Sequence, residues 1–216
     1  MKAQYTVPDQ KNEKSFEIVE NTLSKYSSAI IGITGAGGAG KTTFAQNLVN
    51  FFGTEYSLTI DLDDYLLSRI DRGKLEVTGY NPRANKLYLA RENIEQLCSG
   101  QDIVKPRYDH ATGELLPKEK VQARPLIIVE GVTTLYPELR ELYTLSVFLD
   151  ALEETQIKSR IQRDVNTRGY TLEEALALFE AVKPDYERFI EPTKKYATLV
   201  FQVDMSYIMH PIRVDL

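Results

Sequence analysis

The apolar run Ala29-Ile30-Ile31-Gly32-Ile33-Thr34 leads straight into Gly35-Ala36-Gly37-Gly38-Ala39-Gly40-Lys41-Thr42-Thr43. Gly, four residues, Gly, Lys and then Ser or Thr is the spacing of a phosphate-binding loop that joins a strand to a helix. Without side-chain bulk the backbone curls until successive N–H groups point inward at phosphate oxygens. The helix opening near Lys41 adds its positive end. Lys41 then reaches the outer phosphates as a point charge, and the Thr42 hydroxyl takes one position on a magnesium ion that bridges them. A glycine-rich turn that binds nothing is the plainer alternative. The Lys-Thr pair, and the helix-like residues 44–49 behind it, favour a nucleoside triphosphate site over residues 35–43.

The loop says which cofactor and little about the reaction, so the rest of the chain has to supply the other half. Its 216 residues suffice for one α/β domain with a sizeable core and are short for two. With 31 acidic against 26 basic residues the net charge is −5, which argues against a general nucleic-acid or anionic-membrane binder and makes any basic site local. Cys98 is the single cysteine, so no intrachain disulfide forms and a reducing compartment fits. Residues 1–14 are polar with no apolar signal segment, and no run reaches the length of a membrane span. These features read as a cytoplasmic protein whose partner is a small molecule, neither nucleic acid nor membrane; a homo-oligomer is left open.

Residues 12–26 place Phe16, Val19, Leu23 and Tyr26 on one face, an amphipathic helix ahead of the first strand. Gly53 closes the helix behind the loop, and residues 56–61 read as a second strand. Residues 63–84 are polar, turn-rich and without clear period; a connection that long in a compact domain is usually functional. Helical spacing returns over 85–98, and 102–117 reads as an extended or hairpin excursion. Leu126-Ile127-Ile128-Val129 and residues 145–149 are runs typical of strands buried on both faces of a parallel sheet, and residues 134–142 between them read as a helix. Residues 153–167 are helical, Gly169 breaks that helix, and Thr171 with Glu174 makes a capping box for the next. Residues 197–203 read as a last strand, and the tail after Asp204 is unassigned.

Strands alternating with helices predict an α/β fold, a parallel sheet with helices on both faces. Ligands of such sheets bind beyond the carboxyl ends of the strands, so residues 35–43, residues 61–65 and Glu130-Gly131 should face one crevice. Phosphoryl transfer to an alcohol needs a carboxylate at the acceptor hydroxyl, a metal on the phosphates and cations for the moving charge. Asp61 and Asp63 share a side if the strand continues, while Asp64 points away; Asp63 is the candidate general base or acceptor orienter, with a simple turn cap as the alternative. Glu130 ends a buried strand, where a charge needs a partner or a nearby metal: a magnesium-bound water, or a salt bridge to a lysine. Arg160, Arg163 and Arg168 suit a closing lid, although spacing alone would favour a solvated helix face.

Asp63-Asp64-Tyr65, Pro106-Arg107-Tyr108-Asp109, Glu130-Gly131, Arg160-Ile161-Gln162-Arg163-Asp164, Arg168-Gly169, Lys183-Pro184 and residues 191–197 follow the phosphate loop in the order seen in uridine kinases. Over residues 29–203 the chain resembles the uridine kinase and phosphoribulokinase family of P-loop kinases. The resemblance implies a P-loop NTPase three-layer sandwich whose five parallel strands run 2-3-1-4-5, with helices on both faces and a lid. It implies one kinase domain over 1–216, with an N-terminal helix (12–26), an acceptor-binding insertion (63–120) and the lid (153–170). By matching motifs, Asp63 takes the catalytic aspartate position and Glu130 the metal-side glutamate. Arg160, Arg163 and Arg168 take the lid positions, with Arg163 and Arg168 on the nucleotide and Arg160 on the substrate. Tyr65 and Tyr108 fall where the family contacts the acceptor.

The chain also departs from its relatives. Uridine kinases carry an acidic, ribose-binding residue just before a His-Pro-Asp-Ala motif; this chain has Gly79-Tyr80-Asn81-Pro82-Arg83-Ala84. His110 stands at a different offset from the family's pyrimidine-reading histidine and reads as a substrate-pocket or turn residue, and Tyr170 stands where a further lid arginine belongs. These departures disfavour a pyrimidine nucleoside. Arg83 reads either as a contact for an anionic acceptor, a sugar acid or sugar phosphate, or as a surface loop charge. The expectation is an ATP- and Mg²⁺-dependent kinase of a small-molecule alcohol. The alternatives are another acceptor (a sugar, glycerate or a pantothenate-like compound) and a regulatory NTPase with no acceptor.

Overall fold

The computed structural model describes residues 10–215, so the reading of residues 1–14 lies, through residue 9, outside the described residues. In chain order the elements are α1 (Glu13–Leu23), β1 (Ala29–Gly35), α2 (Lys41–Phe52), β2 (Ser57–Asp61), α3 (Arg69–Lys74), α4 (Leu87–Cys98), β3 (Ile103–Asp109), β4 (Glu114–Val121), β5 (Leu126–Glu130), β6 (Leu145–Ala151), α5 (Glu153–Arg168), α6 (Leu172–Asp185), β7 (Leu199–Val203) and β8 (Met209–Val214). The sheet runs β2-β5-β1-β6-β7-β8, and β3 with β4 forms a separate antiparallel hairpin. β1 pairs with β5 on one side (Ile31 opposite Ile128) and with β6 on the other (Ile31 opposite Leu145), both parallel. Being central and covered on both faces, β1 and β5 are buried throughout, which is why their sequences are continuous apolar runs.

Each face of the sheet has its own core. On one, Phe16 of α1 stacks on Phe44 of α2 at 5.5 Å, above Leu48, Ile33 and Phe201. On the other, Tyr65, Ile94 of α4, Tyr136 and Phe148 pack together. Each fully buried Phe contributes about 1.5–3 kcal/mol of transfer free energy, so the central strands and α2 hold the phosphate loop between them rigidly. Among the described residues no helix is long and apolar enough to cross a membrane.

Three expectations are corrected. The five parallel strands are joined by a sixth, antiparallel β8, which pairs with β7 (Gln202 opposite His210) where the tail was unassigned. Pro211 lies on it beside a register shift, the kind of position an edge strand tolerates. Residues 134–142 are not a helix: they are turns ending in a short 3-10 segment, Arg140–Leu142. Pro137 interrupts them, and the Thr134 hydroxyl donates back to the carbonyls of Ile33 and Gly131, tying the chain to the sheet instead of to a helical turn. The stretch 63–84, read as lacking period, contains α3, capped by Ser68 on the Asp71 N–H.

Candidate active site

The loop between β1 and α2 turns through two left-handed glycines, Gly38 (φ 87°) and Gly40 (φ 86°). At Gly38 a Cβ would lie 2.6 Å from the Gln156 carbonyl, so only glycine lets α5 lie this close. Gly37, Lys41 and Thr42 face a crevice of about 530 Å³; Ala39 is buried in the core beneath. Lys41 is nearly buried and donates to the Ala36 carbonyl at 3.0 Å. Burial lowers its pKa, against the pull of Glu130 and Asp63. Glu130, at the end of β5, accepts the Thr42 hydroxyl at 2.7 Å; burial raises its pKa, while Lys41 and Thr42 favour its charged form.

β2 stops at Asp61, and a 3-10 turn, Leu62–Tyr65, replaces the expected continuation. Asp61 accepts the Asp63 N–H at 2.8 Å, and burial, with Asp63 and Glu130 nearby, raises its pKa well above the ordinary carboxylate value. The turn sends Asp63 into the crevice and Asp64 outward, where Asp64 accepts the Tyr108 N–H at 2.9 Å and pairs with Lys105. Burial would raise the Asp63 carboxyl, yet the His110 imidazole, 3.2 Å from its Oδ2, leads Lys41 and Arg168 in holding it down to about 2.

The three arginines expected in a lid converge on one residue. Asp164, 1% exposed, lies 2.9 Å from Arg163, 3.2 Å from Arg168 and 3.5 Å from Arg160. All three arginines line the crevice on the side of the loop, Arg160 within 3.5 Å of where a Cβ on Gly37 would stand. Gly169 ends α5 in the left-handed region, and the Thr171–Glu174 capping box starts α6, which folds α6 back along α5.

Asp63, His110, Tyr108, Glu130, Lys41, Thr42 and the three lid arginines therefore share one cavity. Two expected substrate contacts do not. Tyr65 is 0% exposed, its hydroxyl accepting from Asn93 at 2.9 Å and pushed up to about 12 by burial; the 3-10 turn that delivers Asp63 rotates Tyr65 into the core. Arg83 lies exposed on a short turn, outside the crevice lining. Three crevice residues went unread. Arg69 and Arg72 come from α3: Arg69 donates to the His110 carbonyl at 2.9 Å, and Arg72 to the Tyr108 hydroxyl. Tyr80 places its hydroxyl 2.9 Å from the Gly37 N–H. Asp164, directly after Arg163, stands in a quoted motif, and the sequence gives it no role. Altogether Lys41, Arg69, Arg72, Arg160, Arg163 and Arg168 face only Asp63, Glu130 and Asp164, a cationic pocket in an acidic chain.

The model of the phosphoribulokinase and uridine kinase family matches residues 30–207. A phosphoribulokinase of Synechocystis is 47% identical over 176 residues, covering 81% of this chain and 53% of that protein. A uridine kinase of Chloroflexus aurantiacus is 34% identical over 180 residues, covering 80% and 85%. The solved structure of D-glycerate 3-kinase from Cryptococcus neoformans has the same fold, with TM-score 0.66 at 17% identity over 93% of this chain and 98% of that one. The chain spans about half the length of the first of the curated relatives it matches. Phosphate loop, paired acid on β5, turn-borne aspartate and arginine lid coincide with the matched span, and the chain belongs to the phosphoribulokinase and uridine kinase family.

Proposed function

We propose that the chain transfers the terminal phosphoryl group of ATP, with Mg²⁺, to a primary hydroxyl of a small phosphorylated sugar, ribulose phosphate in preference to a nucleoside. The observation that carries this is the asymmetry of the crevice: one wall bears the phosphate loop and lid arginines, and the other bears Arg69 and Arg72, neither paired with a carboxylate among the described residues. Two guanidinium groups satisfied only by carbonyl and phenol oxygens suit a second phosphate. The name of the Synechocystis relative points the same way.

The Thr42 hydroxyl and the Glu130 carboxylate, 2.7 Å apart, are oxygens of the kind Mg²⁺ takes from a protein and would hold it here. Bound there, the metal would neutralise charge on the phosphates. Lys41 and the loop amides hold the phosphates, and Arg163 and Arg168 meet the charge of the moving group. The acceptor oxygen bonds to the terminal phosphorus as the bond to the bridging oxygen of ADP breaks, and the hydroxyl proton passes to Asp63. A carboxylate held near 2 is a weak base, so Asp63 first orients the hydroxyl and takes its proton only as bond formation acidifies that oxygen.

ADP release with ATP, Mg²⁺ and a panel of ribulose phosphate, glycerate, pantothenate and uridine tests this. Release should be greatest with the phosphorylated sugar. Asp63→Asn should lower the acceptor-dependent rate about 10²–10⁴-fold with nucleotide binding nearly intact. Release that no acceptor raises would mark an NTPase without an acceptor and defeat the proposal.

A further inference from the structure

Tyr80 reaches from the acceptor side onto the phosphate loop. Its hydroxyl accepts the Gly37 N–H at 2.9 Å, and a Cβ on Gly37 would come within 2.5 Å of the phenolic oxygen. No ligand group fits between ring and loop. Behind the ring lies a second cavity of about 200 Å³ with Phe179 and Tyr186 in its walls. Tyr80, Arg160 and Val182 line both cavities, so these three side chains form the partition. The backbone of Tyr80 is fixed independently of any ligand: its N–H donates to Thr78 Oγ1 at 3.1 Å, Thr78 donates to Asp185 at 2.6 Å, and its carbonyl accepts the Tyr136 hydroxyl.

We propose that Tyr80 sets the size of the acceptor: its ring closes the crevice against the second cavity, and its bond to Gly37 holds the ring there. This rests on the kinase reading of the crevice. An acceptor hydroxyl has to approach the loop, and what the acceptor carries behind it must extend either toward Arg69 and Arg72 or past Tyr80. A sugar phosphate takes the first direction. A nucleoside needs room for a planar base; Tyr108 and Tyr170 in the crevice already serve Arg72 and Arg69, whereas Phe179 and Tyr186, which could stack a base, lie beyond the partition.

The test is calorimetric binding of ribulose phosphate and of uridine to the protein loaded with Mg²⁺ and a non-hydrolysable ATP analogue. The parent is compared with Tyr80→Phe, which keeps the ring and loses the hydroxyl, and with Tyr80→Ala, which opens the partition. Tyr80→Ala should shift the affinity ratio toward uridine by about tenfold or more, and Tyr80→Phe by about two- to tenfold, the worth of one hydrogen bond. A ratio that stays within twofold of the parent in both variants overturns the proposal. So does equal loss of both ligands in Tyr80→Ala, which would mark a merely structural residue, or a parent that binds neither. Binding is read apart from turnover, so a parent that binds ribulose phosphate without releasing ADP would overturn the kinase reading and leave the ratio to decide this one.

Discussion

Asp63 is pulled in two directions. Burial favours the neutral acid, whereas the imidazole of His110, and behind it Lys41 and Arg168, favour the carboxylate and prevail at about 2. The folded value lies below the ordinary 3.8, so the ionised group contributes stability above about pH 4 that is lost as pH falls toward 2. Without the imidazole, burial meets weaker opposition. His110→Ala is therefore expected to move the acid limb of the kcat/KM profile to higher pH, by about one unit or more; a limb that stays in place would show that His110 does not hold Asp63. At this scale the sequence was legible where chemistry is local. Lys41, Thr42, Asp63 and Glu130 sit at strand ends where motif and resemblance both pointed, and the structure brings all four to one crevice. Tyr65 was assigned by resemblance alone, which carries no local geometry, and the 3-10 turn that sends Asp63 into the crevice sends Tyr65 into the core. Arg69, Arg72 and Tyr80 were invisible because their meaning comes from what they touch 36 to 43 residues away, His110, Tyr108 and Gly37.

Among the elements, α5 depends on a single acid. Asp164 is buried and gathers Arg160, Arg163 and Arg168, one turn to either side and next door. The cluster aims three guanidinium groups at the crevice and offsets their mutual repulsion. Asp164→Asn keeps the shape and removes the charge. Breaking a buried charge network typically costs about 3–5 kcal/mol, so the variant should lose thermal stability, show faster amide exchange over α5 and α6, and fall at least about tenfold in kcat/KM. Unchanged exchange with unchanged kcat/KM would show that the arginines need no such anchor. The helices and strands that sequence predicted correctly, α1, α4, α5 and the parallel strands, carry their period in apolar residues. The misassigned ones do not: residues 134–142 have apolar spacing but also Pro137 and a threonine bonded to the sheet, and β8 is half-exposed with a proline on it.

For the whole molecule, an acidic surface encloses a cationic crevice, and the β3–β4 hairpin stands outside the sheet yet touches its reacting end. Lys105 of β3 is 5% exposed and pairs with Asp64; Tyr108, three residues farther along and past a register shift, gives its N–H to the same carboxylate. Lys105→Met would leave Asp64 with half its partners. Expected are a lower melting temperature and a fall in kcat with ATP affinity retained, since nothing in the phosphate loop is altered; equal loss of both would refute this division. Asp63 and Asp64 are joined by one planar peptide unit, the first lining the crevice and the second gripping the hairpin. That unit ties the two together: whatever fixes Asp64 on the hairpin also fixes the backbone from which Asp63 enters the crevice, although no residue of the hairpin's far end comes near it.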